Sequence, residues 1–289
     1  MFKFVKYTNF LDLKYTTETG NFVKFTYSDG ITLINNAEQT ISNAYGTIDQ
    51  LIINSGQATL TVNGKAAHID NEGTLIVGGT DKQTNTVDLI DNDGIVTLKK
   101  NAIVGTLNNN AGAKTTVEGS SKATLVNNIS ADACDACIPA ELLVKSTLQV
   151  GTLNNNAKLT NDGTIAVEKA LGHAKDKKGH IYALINNGTI KAVDKKSPVL
   201  TNESTISNYG VISTAINNKE NAIIDNDPKS VDGGLTGAGT IVFNQGVINT
   251  YNGVIETLSN VLNDGNKEAV LNVYGQTVEV KTTKNSDGQ

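Results

Sequence analysis

One short phrase recurs along most of this chain and limits what it can fold into: Asn, one or two residues, Gly, Thr or Val, then Ile or Leu. It reads Asn71-Glu72-Gly73-Thr74-Leu75 and, more loosely, Asn92-Asp93-Gly94-Ile95-Val96. It returns as Asn161-Asp162-Gly163-Thr164-Ile165, Asn187-Gly188-Thr189-Ile190, Asn208-Tyr209-Gly210-Val211-Ile212 and Asn244-Gln245-Gly246-Val247-Ile248. Asn and Gly tolerate the left-handed backbone of a sharp turn, and the β-branched residues after them favour extended strand. One turn-plus-strand unit used many times predicts a solenoid rather than a compact enzyme core.

The spacing sets the size of a coil. The octet Val104-Gly105-Thr106-Leu107-Asn108-Asn109-Asn110-Ala111 recurs unchanged from Val150 to Ala157, an offset of two periods of about 23 residues. Gly94 to Gly163 reads as about three such periods, and Gly163 to Gly188 and Gly188 to Gly210 as about one each. A period of roughly 20 to 25 residues fits one coil of a parallel β-helix with two or three short strands. A leucine-rich repeat of similar period would need Leu at fixed spacings and a helical convex side, and neither is written here. In Gly163-Thr164-Ile165-Ala166-Val167-Glu168, alternate apolar residues are expected to point inward and Thr and Glu to water. Stacked coils place equivalent residues about 4.8 Å apart, so Asn at equivalent turns can form amide ladders. That accounts for an Asn content of roughly one residue in eight, well above ordinary usage, without any ligand.

Three segments are expected: an N-terminal β cap over residues 1–29, a parallel β-helix over 30–275, and a polar tail over 276–289. Eight of the 14 aromatics lie before residue 28, flanking the turn-like Glu18-Thr19-Gly20-Asn21. A solenoid needs such a cap, because its terminal coil exposes strand edges and apolar side chains; an aromatic carbohydrate-binding platform is the functional alternative. Loop excursions are expected near 129–146, 168–183 and 225–236, where the rhythm breaks; function usually sits on such loops.

Composition removes several classes of function. The 289 residues carry a formal charge of −5, and all 24 basic residues are Lys. Without Arg and without a basic surface, nucleic-acid binding is not expected. No apolar run has the length of a membrane helix. The start, Met1-Phe2-Lys3-Phe4-Val5-Lys6-Tyr7, lacks the apolar segment of a secretory signal. Two readings stay open: an intracellular chain, or an exported one whose signal has been cut away; we prefer the second because of the resemblance below.

Little in the sequence points to chemistry. Cys134 and Cys137 form a Cys-x-x-Cys with no second pair or suitably spaced His to complete a zinc site. A disulfide closing a tiny loop is the simplest reading, with a free dithiol or a redox or metal role as alternatives. His173 and His180 share a Lys-rich loop, and a metal there would need Asp176 and further ligands. The acidic turn Asp91-Asn92-Asp93-Gly94 resembles part of a calcium loop but lacks the distal Glu, and Gly233-Gly234-Leu235-Thr236-Gly237 lacks the Asp of the calcium-binding nonapeptide. Neither a nucleophile elbow nor a phosphate-binding loop is present. No catalytic residue and no cofactor is expected.

The Asn-x-Gly-Thr-Ile blocks, the Gly-Thr-Leu-Asn-Asn-Asn-Ala octets and Gly253-Val254-Ile255-Glu256-Thr257-Leu258-Ser259-Asn260 resemble autotransporter (type V secretion) passenger domains of the Asn-rich adhesin type, over roughly residues 30 to 275. The resemblance implies an all-β fold, a single-stranded right-handed parallel β-helix exported to the bacterial cell surface. It implies a non-catalytic adhesin or stalk that presents loops to a host protein or glycan. A translocator barrel is expected in the full-length protein and is absent from this sequence; a structural fibre self-associating end to end through incompletely capped strand edges is a further alternative. Many parallel β-helices are polysaccharide lyases or glycosidases, so a carbohydrate-active enzyme is the alternative from another class. Lyases of the pectate type use an Arg base, which this chain lacks; a passenger toxin is a second surface alternative.

Overall fold

The strands follow from the alternation, with one slip each. In Asn85–Asn92 the buried residues are Asn85 and Val87, then Ile90 and Asn92; the phase moves by one residue at the exposed Asp88. Such a slip turns the chain's inward side and bends the strand. Ala102–Asn109 slips at Gly105 and Ser121–Asn128 at Thr124. Each long strand therefore serves two faces of the coil. The remaining face is made by separate short strands such as Thr74–Val77, Ile95–Leu98 and Lys114–Val117.

The computed structural model describes residues 33–36, 38–79, 83–130, 138–194, 199–237, 240–260, 269–275 and 278–282. Among these residues there are 26 strands, all paired in parallel, and no helix. The architecture is a parallel β-solenoid of about ten turns with about 21 residues per coil. We number the faces in the order the chain visits them. The first face stacks Thr74–Val77, Ile95–Leu98, Lys114–Val117, Glu141–Val144, Lys158–Asn161, Leu184–Asn186, Thr205–Asn208, Ile223–Asn226, Val247–Thr250 and Val270–Val273. The second and third faces come from the two halves of strands such as Ala102–Asn109, and further along from separate strands such as Thr189–Ala192 and Val199–Asn202. The two identical octets lie two coils apart in one register, since Val104 pairs with Ala123 and Ala123 with Val150.

Inside, aliphatic columns run the length of the stack. Ile52, Ile69, Ile90, Leu107, Val126, Leu153, Leu171, Leu200, Ile216 and Val242 fill one of them on the third face. Burying each such side chain stabilises the fold by roughly 1.5–3 kcal/mol. Beside that column, two residues later in each coil, runs a column of Asn. Asn35 Nδ2 donates to Asn54 Oδ1 at 2.8 Å, and the same link joins Asn54 to Asn71, Asn71 to Asn92, Asn92 to Asn109, Asn109 to Asn128 and Asn128 to Asn155 at 2.6–2.8 Å. Most of these amides also donate to the carbonyl that opens the first face one coil on, as Asn54 does to Thr74 and Asn128 to Lys158. A buried amide left unpaired would oppose folding; two donated bonds and one accepted bond offset its desolvation.

A second inward ladder begins on the first face at Asn161, where earlier coils carry Val77, Leu98, Val117 and Val144. It runs from Asn161 through Asn186 and Asn208 to Asn226, whose Nδ2 ends on Thr250 Oγ1. Asn161 Oδ1 has no hydrogen-bond partner, because the residue facing it in the preceding coil is Val144.

The two ladders explain a point at which sequence and structure part. Gly73, Gly94 and Gly246 turn the chain from the third face to the first, whereas Gly163, Gly188 and Gly210 turn it from the first to the second. Gly94 to Gly163 is therefore not a whole number of coils, since the same Asn-Gly chemistry serves two different corners. At the second corner the glycines stack: a Cβ on Gly188 would meet the Gly163 carbonyl oxygen, and one on Gly210 that of Gly188.

The excursions are shorter than the broken rhythm suggested. Glu141–Val144 is a regular rung of the first face, so 141–144 belongs to the coil, and residues 131–137 lie outside the described residues. The strand Thr164–His173 carries the chain well into 168–183, leaving residues 174–183 as the loop. Asp225 and Asn226 close a strand and Gly234-Leu235 forms another, so 227–233 is the excursion there. Part of the expected polar tail, Val278–Thr282, is a strand paired with Gly253–Asn260. The expected cap at 1–29, with its aromatic runs, and the Cys134–Cys137 pair lie outside the described residues.

Candidate functional site

The sequence-derived candidates separate in space. His173 and His180 do not share a loop environment. His173 is the last residue of its strand and is buried, at 1% exposure, in the third-face Asn column. His180 lies in the 174–183 loop, where its Nδ1 sits 2.7 Å from Asp176 Oδ2. Asp176 is itself buried and organises that loop: its Oδ1 accepts the backbone N–H groups of Lys178 and His180, and its Oδ2 accepts the Ser130 hydroxyl at 3.2 Å. Burial opposes ionisation of Asp176, but the bonds from the His180 ring and from these N–H groups outweigh it and hold the carboxyl below its usual range. This is a loop clamp, with one His and one carboxylate.

The acidic turn of Asp91-Asn92-Asp93-Gly94 is also divided by the fold. Asn92 points into the ladder and Asp91 outward, where it meets His68 Nε2 at 2.9 Å and accepts Asn108 Nδ2 at 2.7 Å. Asp70 faces Asp91 across the rung. Burial and then the charges of Asp93 and Asp91 raise the Asp70 pKa, against a smaller opposing effect of His68. Among the described residues, no group of three or more His, Cys, Asp or Glu is placed to hold a metal ion.

A surface that the sequence reading did not single out lies at the corner between the first and second faces, near the 227–233 excursion. The residues just after the inward column in four successive coils are Tyr209, Asp227, Tyr251 and Tyr274. Tyr251 and Tyr274 stack with ring centroids 5.0 Å apart and planes inclined by 17°, and both are exposed. Beside them, on the outside of the first face, Asn272 Nδ2 donates to Asn249 Oδ1 at 2.9 Å and Asn249 Nδ2 to Asp225 Oδ1 at 2.8 Å. The neighbouring loop is tied to the corner by Lys229 N–H on the Tyr209 carbonyl and by Asn252 Nδ2 on that of Pro228. Partial burial, then the charges of Asp225, Tyr274 and Asp227, raise the Tyr251 pKa, so the phenol stays a neutral donor. Val231, 56% exposed, adds an apolar side chain on the loop.

This corner combines aromatic rings with amides and carboxylates repeated at about one strand spacing, roughly 4.8 Å. Such a surface can hold an extended polar ligand through several weak contacts in series. The signal was in the sequence: Tyr251 and Tyr274 are one coil apart, and projecting all aromatics onto the period would have paired them. Comparison with protein-family models, with curated proteins and with solved structures gives no match for this chain.

Proposed function

We propose that this chain is a surface-exposed passenger of the autotransporter kind, a non-catalytic β-solenoid that presents loops and corners to host molecules. One observation carries the reading: the inward positions are taken up by aliphatic columns and amide ladders, and the residues that depart from the coil pattern sit outside, at the 174–183 and 227–233 excursions and the tyrosine corner. A scaffold so uniform along its axis supports an extended stalk, and loops on a rigid scaffold are where recognition is placed. The expected ligand is a host glycan or protein segment lying along the corner. Surface labelling of the source cell tests the location, and a purely cytoplasmic location rejects it. Binding of the purified chain to host cells and glycans tests the role; the double variant Tyr251→Ala, Tyr274→Ala is expected to weaken binding at least tenfold with the fold retained.

A second reading, a carbohydrate-active enzyme, has one feature in its favour. Asp70 and Asp91 are carboxylates on adjacent rungs, and the Asp70 pKa is raised, as a general acid requires. Release of product from acidic polysaccharides by the wild-type chain but not by Asp70→Asn would establish it; absence of turnover across pH and calcium concentration rejects it.

A further inference from the structure

The third-face polar column is Asn in every described coil from Asn35 to Asn244 except one, where His173 stands between Asn155 and Asn202. The imidazole copies two of the three bonds of an amide. Its Nδ1 accepts Asn155 Nδ2 at 2.9 Å, as an Asn Oδ1 would. Its Nε2 donates to the Thr205 carbonyl at 2.9 Å, the position used by Asn202 on Ile223 and by Asn128 on Lys158. An amide nitrogen has two hydrogens and Nε2 has one, so nothing remains to reach Asn202. Asn202 Oδ1 instead takes the N–H of Ser204. The column is interrupted at this rung.

The direction of the column fixes the protonation state of the ring. Each amide donates toward the next coil, so the group that meets His173 Nδ1 is a donor. A proton on Nδ1 would put two donors face to face. Asn155 cannot turn over to relieve this, because its Oδ1 receives Asn128 Nδ2 and its Nδ2 also holds the Ala157 carbonyl. Reversing it would require reversing Asn128, Asn109, Asn92, Asn71, Asn54 and Asn35 in turn, against the backbone carbonyls that hold them.

We propose that His173 is an acid-sensitive joint: neutral, it fits the column, and protonated, it opens the third face between the rungs Thr152–Asn155 and Ala170–His173. The groups against the ring are Asn155 from the preceding rung, the Thr205 carbonyl from the first face and Asn202 from the following rung, none of them titratable. No charged side chain shifts its titration. In the loop that follows, the carboxylate of Asp176 is engaged by His180 and Ser130. Burial lowers the His173 pKa from 6.5 to about 4, the bonds to Thr205 and Asn155 acting in the opposite sense. The sign follows: between these two values the open state binds one more proton than the closed state. The closed state keeps its full stability above pH 6.5 and loses it as pH falls toward 4. The opening is local, because the first-face ladder Asn161–Asn186–Asn208 crosses the same coils and contains no titratable group.

Hydrogen exchange on the full chain at pH 7 and pH 4.5, corrected for intrinsic rates, tests this. Amides of 152–155 and 170–173 are expected to lose protection by on the order of 100-fold at the lower pH, while 158–161 and 184–186 keep theirs. His173→Asn supplies the missing hydrogen and is expected to abolish the acid step; His68→Gln and His180→Gln are expected to retain it. Equal protection at both pH values in the wild type, an acid step that survives His173→Asn, or one removed by His180→Gln overturns the proposal. Should His173→Asn fail to fold, NMR titration of the wild-type imidazole decides: a ring still neutral below pH 5 supports the joint, and protonation above pH 6 overturns it.

Discussion

Asn109 and Asn154 carry the same side chain and differ in what surrounds it. Asn109 is fully buried, accepts Asn92 Nδ2 and the Thr115 hydroxyl, and donates to Asn128 and to the Glu141 carbonyl. Asn109→Ala leaves several of these groups unpaired without water, and is expected to lower stability by about 2–4 kcal/mol in a urea melt. Asn154 ends an outer ladder on Asn127 and is exposed; Asn154→Ala is expected to change stability by less than about 0.5 kcal/mol in the same assay. Asp70→Asn should act in the other direction. The raised pKa means that ionised Asp70 disfavours the folded state, so stability falls as pH rises through its titration. Removing the charge is expected to raise the melting temperature at pH 7, by about 0.5 kcal/mol in free energy. The Asn enrichment made ladders legible from the sequence, but not which Asn faced in. His173 reads from the sequence as part of the Lys-rich loop because it lies seven residues before His180 where the rhythm breaks, and only the coil register shows it to be an amide substitute.

At the scale of strands and corners, the period and the parallel stacking were legible because the octets preserve register over two coils. The corners were not, because Asn-Gly turns have the same chemistry wherever they occur. Glu141–Val144 breaks the rhythm in sequence only because that coil is long, with 27 residues from Asn128 to its ladder partner Asn155. The stacked glycines give the corner a sharp test. Gly188→Ala would force its Cβ onto the Gly163 carbonyl, backbone against backbone, and is expected to destabilise by about 2–3 kcal/mol in chemical denaturation. Gly112→Ala, where a Cβ meets open space but φ is +83°, is expected to show only the strain of the left-handed conformation, about 1 kcal/mol.

Over the whole molecule, each coil rests on its two neighbours, so protection against hydrogen exchange is expected to be greatest for strands such as Ala102–Asn109 and to decline toward Val270–Val273, where Val273 is 52% exposed. The exchange of Val144 for Asn161 on the first face has a thermal consequence. Coils before that point unfold to release aliphatic columns with a single column of polar side chains, while the following ones release a second column of amides as well. Hydration of aliphatic surface raises the heat capacity of unfolding and hydration of amides lowers it. The later coils therefore have the flatter stability curve, and calorimetry on warming or cooling would find the earlier ones responding more steeply to temperature.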